Sequence, residues 1–323
     1  PTVARPHAAL ANGLDQRALD ELLKKDIREF GGLAAYDRLG VAVSGMPEDI
    51  QHGYAHAFGH ALYTTLGESG ISVCDGRFNL GCFHQFLGDA IGDLGTDAIG
   101  RLYKECGAVI GSEETCQHGL GHGIVSGVGY SEDDLKHALD LCGDATNENT
   151  YAGCFGGAFM EYNIRTIANA EGIMGSRVVE NGDMYAPCNK LPADERATCT
   201  FWLPQWWFYS VMEGQRDPSN RMDLYTRLGE LCAKSPAPQA CGEGIGYVTP
   251  TVFSFDPDLS RSACDRTGSS SLYCRSMAAL IYNISAGQKA KAASLCEGLS
   301  GREADICGRY AAHENNFSFS IPE

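Results

Sequence analysis

Nine histidines occur in this 323-residue chain, and five of them fall in a pattern that could hold a metal ion. The stretch Cys116-Gln117-His118-Gly119-Leu120-Gly121-His122-Gly123 places two histidines four residues apart, so on a helix both imidazoles leave one face a turn apart. His56 and His60 repeat that spacing upstream, and His84 stands between the two pairs, two residues after Cys82. Imidazole nitrogen is the commonest protein ligand for zinc, copper and iron, and two histidines on one helix face give two nitrogens to one ion.

The elements that must position these rings are set by the cysteines. The fourteen cysteines fall into seven close pairs, 74 with 82, 106 with 116, 142 with 154, 188 with 199, 232 with 241, 264 with 274 and 296 with 307, and none is left over. That usage belongs to an oxidising compartment and predicts a secreted or periplasmic protein. No charged-then-apolar leader opens the sequence, so export is inferred from the cysteines alone.

The residues before the first cysteine of a pair carry helical spacing, as in Ile99, Leu102, Tyr103 and Cys106. Turn formers follow it, as over residues 143–149, and the second cysteine opens another apolar, glycine-rich segment. Each unit therefore reads helix, cysteine, loop, cysteine, helix, with the disulfide closing the hairpin at its turn. Second cysteines recur at steps of 34, 38, 45, 42, 33 and 33 residues, the range of two-helix repeats.

The expected fold is an all-α solenoid of about eight two-helix repeats, seven with an internal disulfide. It forms a single repeat domain over residues 14–323 behind a flexible arm at 1–13, with the metal site in the repeats spanning 31–165. A capping helix over 14–30 precedes a leading repeat without a disulfide, whose helices cover 31–40 and 51–66. Ser131 ahead of Glu132, Asp133 and Asp134 is a start signal for one of the outer helices.

In these paired cysteines and helical hairpins the chain resembles the tetratricopeptide-type repeat proteins in a secreted, cysteine-rich form. The resemblance covers about residues 31–315 and lies in architecture, since the diagnostic Trp, Leu-Gly and Pro positions of those repeats are not reproduced. It implies a right-handed superhelix with one set of helices lining a concave face, and it implies no enzymatic activity.

Aligned on the second cysteine, the histidines fall in phase. His84 is two residues after Cys82, His118 and His122 are two and six after Cys116, and His313 is six after Cys307. In the leading repeat Tyr54 holds the cysteine position, with His56 and His60 at the same two offsets. Leaving out that pair, which chose the alignment, these positions in the seven disulfide units hold four of the seven other histidines, where random placement predicts fewer than one. The offsets point about 200° and 240° around the helix from the cysteine, away from the hairpin partner, so consecutive inner helices present their imidazoles to one patch. His56, His60, His84, His118 and His122 are thus the expected metal ligands for one or two ions.

Glu161 and Asp89, each seven residues after a second cysteine, are the candidate catalytic carboxylates, and Asp93 is a further carboxylate nearby in sequence. Position seven points back toward the disulfide side, so direct ligation by Glu161 competes with a solvated or capping role. His52 is either a sixth ligand or a partner that orients His56. Glu243 has the correct phase but lies three repeats away. His313 is expected to be structural, and His7 and His137 exposed. Residues 201–209 carry all three tryptophans, which form either core or a wall over the concave face. Asn283 and Asn316 open glycosylation sequons.

Composition narrows the function classes. A formal net charge of −16 without a basic stripe argues against nucleic acid and anionic membranes, and no apolar run reaches the length of a bilayer span. No haem-attachment motif, nucleophile elbow, zincin motif or phosphate loop is present. The expected protein is an exported copper or iron redox enzyme of oxidase or oxygenase type, acting on a small molecule or peptide in the concave face. Its paired histidines plus a further one are similar in ligand set to the coupled copper sites of haemocyanin and tyrosinase. A zinc hydrolase is the second enzymatic reading, and a metal scavenger, chaperone or partner-binding scaffold with structural zinc is the alternative outside enzymes.

Overall fold

Seven disulfides join the pairs that the spacing predicts, Cys74–Cys82, Cys106–Cys116, Cys142–Cys154, Cys188–Cys199, Cys232–Cys241, Cys264–Cys274 and Cys296–Cys307. No cysteine remains free. The structure, a computed structural model, describes residues 15–109, 113–145, 151–167, 175–179, 181–208, 221–285 and 287–314. The arm expected at 1–13, His7 and the sequon at Asn316 lie outside these residues.

The fold is all-α, and its helices divide between two compact units. The first holds residues up to 148 together with 152–175. Its helices are α1 (Gln16–Phe30), α2 (Gly32–Val43), α3 (Glu48–Leu66), α4 (Gly81–Leu94), α5 (Ile99–Gly107), α6 (Glu113–Val128), α7 (Glu132–Ala145) and α8 (Cys154–Asn163). Helices α3, α4, α6 and α8 pack each on the next, α1 covers α3, and α5 and α7 pack on α6. The second unit holds residues 149–151 and those from 176 onward. There α9 (Ala193–Trp206), α11 (Pro238–Val252), α13 (Ser271–Ile284) and α14 (Gly301–Ala311) follow the same packing order, with α10 (Arg221–Ala233) and α12 (Pro257–Asp265) against α11.

Local signals explain the ends. Asp15 accepts a hydrogen bond from the Ala18 amide at 2.8 Å to open α1, and Gly31, at φ 81°, closes it. Ser131 Oγ accepts from the Asp134 amide while Asp134 accepts from the Ser131 amide, a reciprocal cap that starts α7.

The two-helix reading departs from the structure at three units. A 3-10 run over Gly67–Val73 precedes Cys74, another over Lys289–Cys296 leads to Cys296, and a short one, Cys188–Lys190, follows the insertion before Cys188. In the first case only seven residues separate the end of α3 from Cys74, and Gly67 turns the chain at φ 62°, leaving no room for an α-helix.

Glycines let the inner helices touch backbone to backbone. A Cβ on Gly59 would overlap Cys82 O, one on Gly121 would overlap Cys154 O, and one on Gly246 would overlap Cys274 O. Each of these glycines lies five residues after Tyr54 or a second cysteine and seats on the second cysteine of the following repeat. The tryptophans are core: Trp202, Trp206 and Trp207 are buried, and the last two donate their indole N–H to the carbonyls of Arg177 and Met184 at 2.9 and 3.0 Å. Among the described residues no helix is long and apolar enough to cross a membrane.

Candidate metal centre

Helix α6 is buried without a break from Cys116 to Val125, so both of its histidines are enclosed. The close crossing of α6 and α8 produces this burial, because Gly157 of α8 meets the His118 carbonyl where any Cβ would overlap it. His118 Nε2 and His122 Nε2 then lie 3.2 Å apart.

Hydrogen bonds on the outer side of each ring decide which nitrogen faces inward. His122 Nδ1 donates to Glu161 Oε2 at 2.7 Å, so its Nε2 carries the lone pair. His118 hydrogen-bonds the backbone of Gly153, and burial holds its pKa well below the usual histidine value, keeping it neutral. At this distance His118 Nε2–H can donate to His122 Nε2, and with both nitrogens unprotonated the pair can share one cation. Two imidazole nitrogens bound to one ion at about 2.0–2.1 Å, with an angle between square and tetrahedral, are themselves about 2.9–3.4 Å apart. The observed 3.2 Å is such a spacing.

A second pair repeats the arrangement on α3. His52 Nε2 and His56 Nε2 lie 3.0 Å apart. His52 Nδ1 donates to the Phe78 carbonyl at 2.8 Å, and His56 Nδ1 faces Gln85 Oε1 at 3.4 Å. Gln85 is fixed in that orientation because its amide donates to Asp89 Oδ1 at 2.9 Å. Burial lowers the pKa of both rings, that of His56 to about 3, with the neighbouring His52 adding to the shift. The acceptor for His52 sits in an unusual loop: Phe78, Asn79 and Leu80 adopt φ of 54°, 50° and 68°, three left-handed residues without a glycine. Strain of this kind persists where the surroundings hold it in place, here beside the carbonyl that orients His52.

His84 of α4 belongs to both sets. His52, His56 and His84 can bring ligand nitrogens within 4.8 Å of one another, and so can His84, His118 and His122. Its ring centre is 5.5 Å from those of His52 and His56, 4.2 Å from His122 and 6.0 Å from His118. Burial, then the neighbouring histidines, push its pKa well down. His84, His118 and His122 are buried, whereas His52 and His56 are partly exposed.

Of the five expected ligands, the structure brings His56, His84, His118 and His122 together and adds His52. His60 stands apart. It is half-exposed, its Nδ1 donates to Asp89 Oδ2 at 2.8 Å, and its Nε2 is 4.0 Å from Asp20 Oδ1. The cause is the position of His84 near the start of α4, where it faces the N-terminal half of α3. One turn further along, His60 meets Asp89 instead. His52 lies four residues before His56, so a second four-residue spacing on α3 is the signal for it.

The two carboxylates act behind the rings. Glu161 holds His122 and also accepts from Tyr130 Oη at 2.8 Å and from the Thr166 and Ile167 amides at 3.0–3.2 Å. Asp89 holds Gln85 and His60. Asp93 receives the Tyr63 hydroxyl at 2.9 Å. Gln85, Tyr130, Thr166 and the Phe78 carbonyl are contributors that residue spacing does not reveal.

Glu243, which shares the histidine phase, sits in the second unit and is buried among hydroxyls of Tyr151 and Tyr310 and the Gln239 amide. His137 and His313 are exposed, and Asn283 donates its amide to the Ala311 carbonyl. Comparison with protein-family models, with curated proteins and with solved structures returns no match for this chain.

Proposed function

We propose that the protein is an exported metalloprotein whose five clustered imidazoles hold a transition metal, copper before iron or zinc, for redox chemistry of oxidase or oxygenase type. The observation that carries the reading is the buried group of His84, His118 and His122, whose ligand nitrogens lie within 4.8 Å of one another, with the Nε2 atoms of His118 and His122 3.2 Å apart. The ligand set is nitrogen only and uncharged, which favours copper and zinc over magnesium, calcium or manganese. The partial exposure of His52 and His56 suits reaction with a small oxidant or reductant. Seven disulfides support placement outside the cytosol, in the periplasm or the extracellular medium.

The full burial of His84, His118 and His122 favours a second reading, a carrier or scavenger that retains its ion. Metal analysis of protein purified without chelators, followed by ascorbate reduction and re-oxidation in air under EPR, separates the two. A copper signal that disappears and returns over repeated cycles supports redox function. Copper that stays in one state, or zinc alone, supports retention. A protein that takes up no transition metal contradicts both.

A further inference from the structure

His84 differs from the other four histidines of the cluster in one respect. His52, His56, His118 and His122 each commit one side of the ring to a partner, namely the Phe78 carbonyl, Gln85, the Gly153 backbone and Glu161. Such a partner fixes a terminal ligand, leaving one nitrogen for one ion. His84 is 1% exposed, and neither of its ring nitrogens has a hydrogen-bond partner among the described residues. Whichever nitrogen carries the proton, a buried N–H is left without an acceptor, an arrangement proteins avoid.

Each ring nitrogen has a single in-plane lone pair and binds one ion. A histidine that completes two ligand groups must therefore give a different nitrogen to each. His84 completes both the group with His52 and His56 and the group with His118 and His122.

Resting on the metal-binding reading above, we propose that the cluster is a dinuclear site for two divalent transition ions in which His84 is a bridging imidazolate. One ion is held by His52, His56 and one nitrogen of His84, and the other by His118, His122 and the second nitrogen. With metal–nitrogen bonds of about 2.0 Å on either side of the ring, the ions lie about 6 Å apart. Binding the first ion uses the lone pair of neutral imidazole. Binding the second forms a new nitrogen–metal bond as the remaining N–H breaks, and that proton leaves to solvent. No electron is transferred. The single negative charge of the bridge sits between two dications in a site whose other ligands are neutral, where it is favoured.

The test uses the full disulfide-bonded protein and Cu(II) as probe. Equilibrium dialysis with elemental analysis is expected to give two copper ions per chain at saturation. Low-temperature EPR of that sample is expected to show half or less of the bound copper, because the two spins couple through the ring. Replacing one copper with Zn(II) is expected to restore the full signal of the copper that remains. His84→Ala, checked for helicity by circular dichroism and for disulfides by mass, should retain less copper, all of it visible to EPR. One ion per chain, two ions with full EPR intensity, or coupling that survives in His84→Ala each overturns the bridge while leaving metal binding in place. No uptake at all overturns the metal-binding reading as well.

Discussion

Glu161 Oε2 lies 2.7 Å from His122 Nδ1, and both side chains are fully buried. The carboxylate sits seven residues after Cys154 and the histidine six after Cys116. The same offsets recur in Asp89 and His60, seven after Cys82 and six after Tyr54, whose atoms are 2.8 Å apart. One repeat geometry therefore gives two outcomes. The buried copy turns a ring into the histidine cluster, and the half-exposed copy does not. Glu161→Gln should lower metal affinity about 10- to 100-fold, because the carboxylate sets the tautomer and orientation of His122. Competition against a chelating dye measures this. Asp89→Asn should act more weakly, since Asp89 reaches His56 only through Gln85.

Disulfides should differ in what they protect. Opening either Cys106–Cys116 or Cys264–Cys274 by paired alanine substitution removes a loop of similar length, 10 residues in each case. The chain-entropy model gives a loss of about 2 to 3 kcal/mol for each. Only the first lies beside His118 and His122, so metal affinity should fall in that variant and hold in the other. Denaturant unfolding and metal titration on both proteins check the contrast, and equal affinities would contradict it.

Two glycine-to-alanine changes should have opposite signs. Gly121→Ala would drive a methyl group into Cys154 O at the α6–α8 crossing and should destabilise by about 1 to 3 kcal/mol. Gly100→Ala, on exposed α5 surface with no atom within 4 Å of the new methyl group, should stabilise by about 0.5 to 1 kcal/mol. Thermal unfolding of the two variants decides whether backbone contact or helix propensity governs these positions.

The second unit carries its own pH dependence. Burial raises the Glu243 pKa above its ordinary value of 4.5, while hydrogen bonds from Tyr151, Tyr310 and Gln239 oppose the shift. A carboxyl with a raised folded pKa contributes stability that is fully present below the unfolded pKa and is lost as pH rises through the folded value. Glu243→Gln cannot ionise. The melting temperature of the variant relative to the parent should therefore rise as pH increases from about 4.5 toward neutrality. A flat or falling difference across that range would contradict the assignment.

Much of this was legible in the sequence because covalent pairing and periodicity are local properties. Cysteines 8 to 12 residues apart fixed all seven disulfides, and the offset from the second cysteine found His84, His118 and His122. The helical phase of Glu161 and Asp89 left direct ligation and a supporting role both open, and the structure places them on Nδ1 of His122 and on Gln85 and His60. Phase within one helix says nothing about the axial shift between neighbouring helices. For that reason the alignment chose His60 on α3, where contact with α4 selects His52 with His56. The left-handed loop at Phe78, Asn79 and Leu80 has no glycine to announce it, so the carbonyl that orients His52 was invisible. Two outer helices are replaced by 3-10 turns where the available chain is short, before Cys74, or carries an insertion, before Cys188.

The central claim is that the facing imidazole nitrogens hold metal. Anomalous diffraction from crystals grown with excess Co(II) or Cu(II) tests it directly. The expected result is density at bonding distance, about 2.0–2.1 Å, from Nε2 of His118 and His122, with a second peak beside Nε2 of His52 and His56. Crystals that bind the ion elsewhere, or that show no anomalous peak between these rings, would contradict the account.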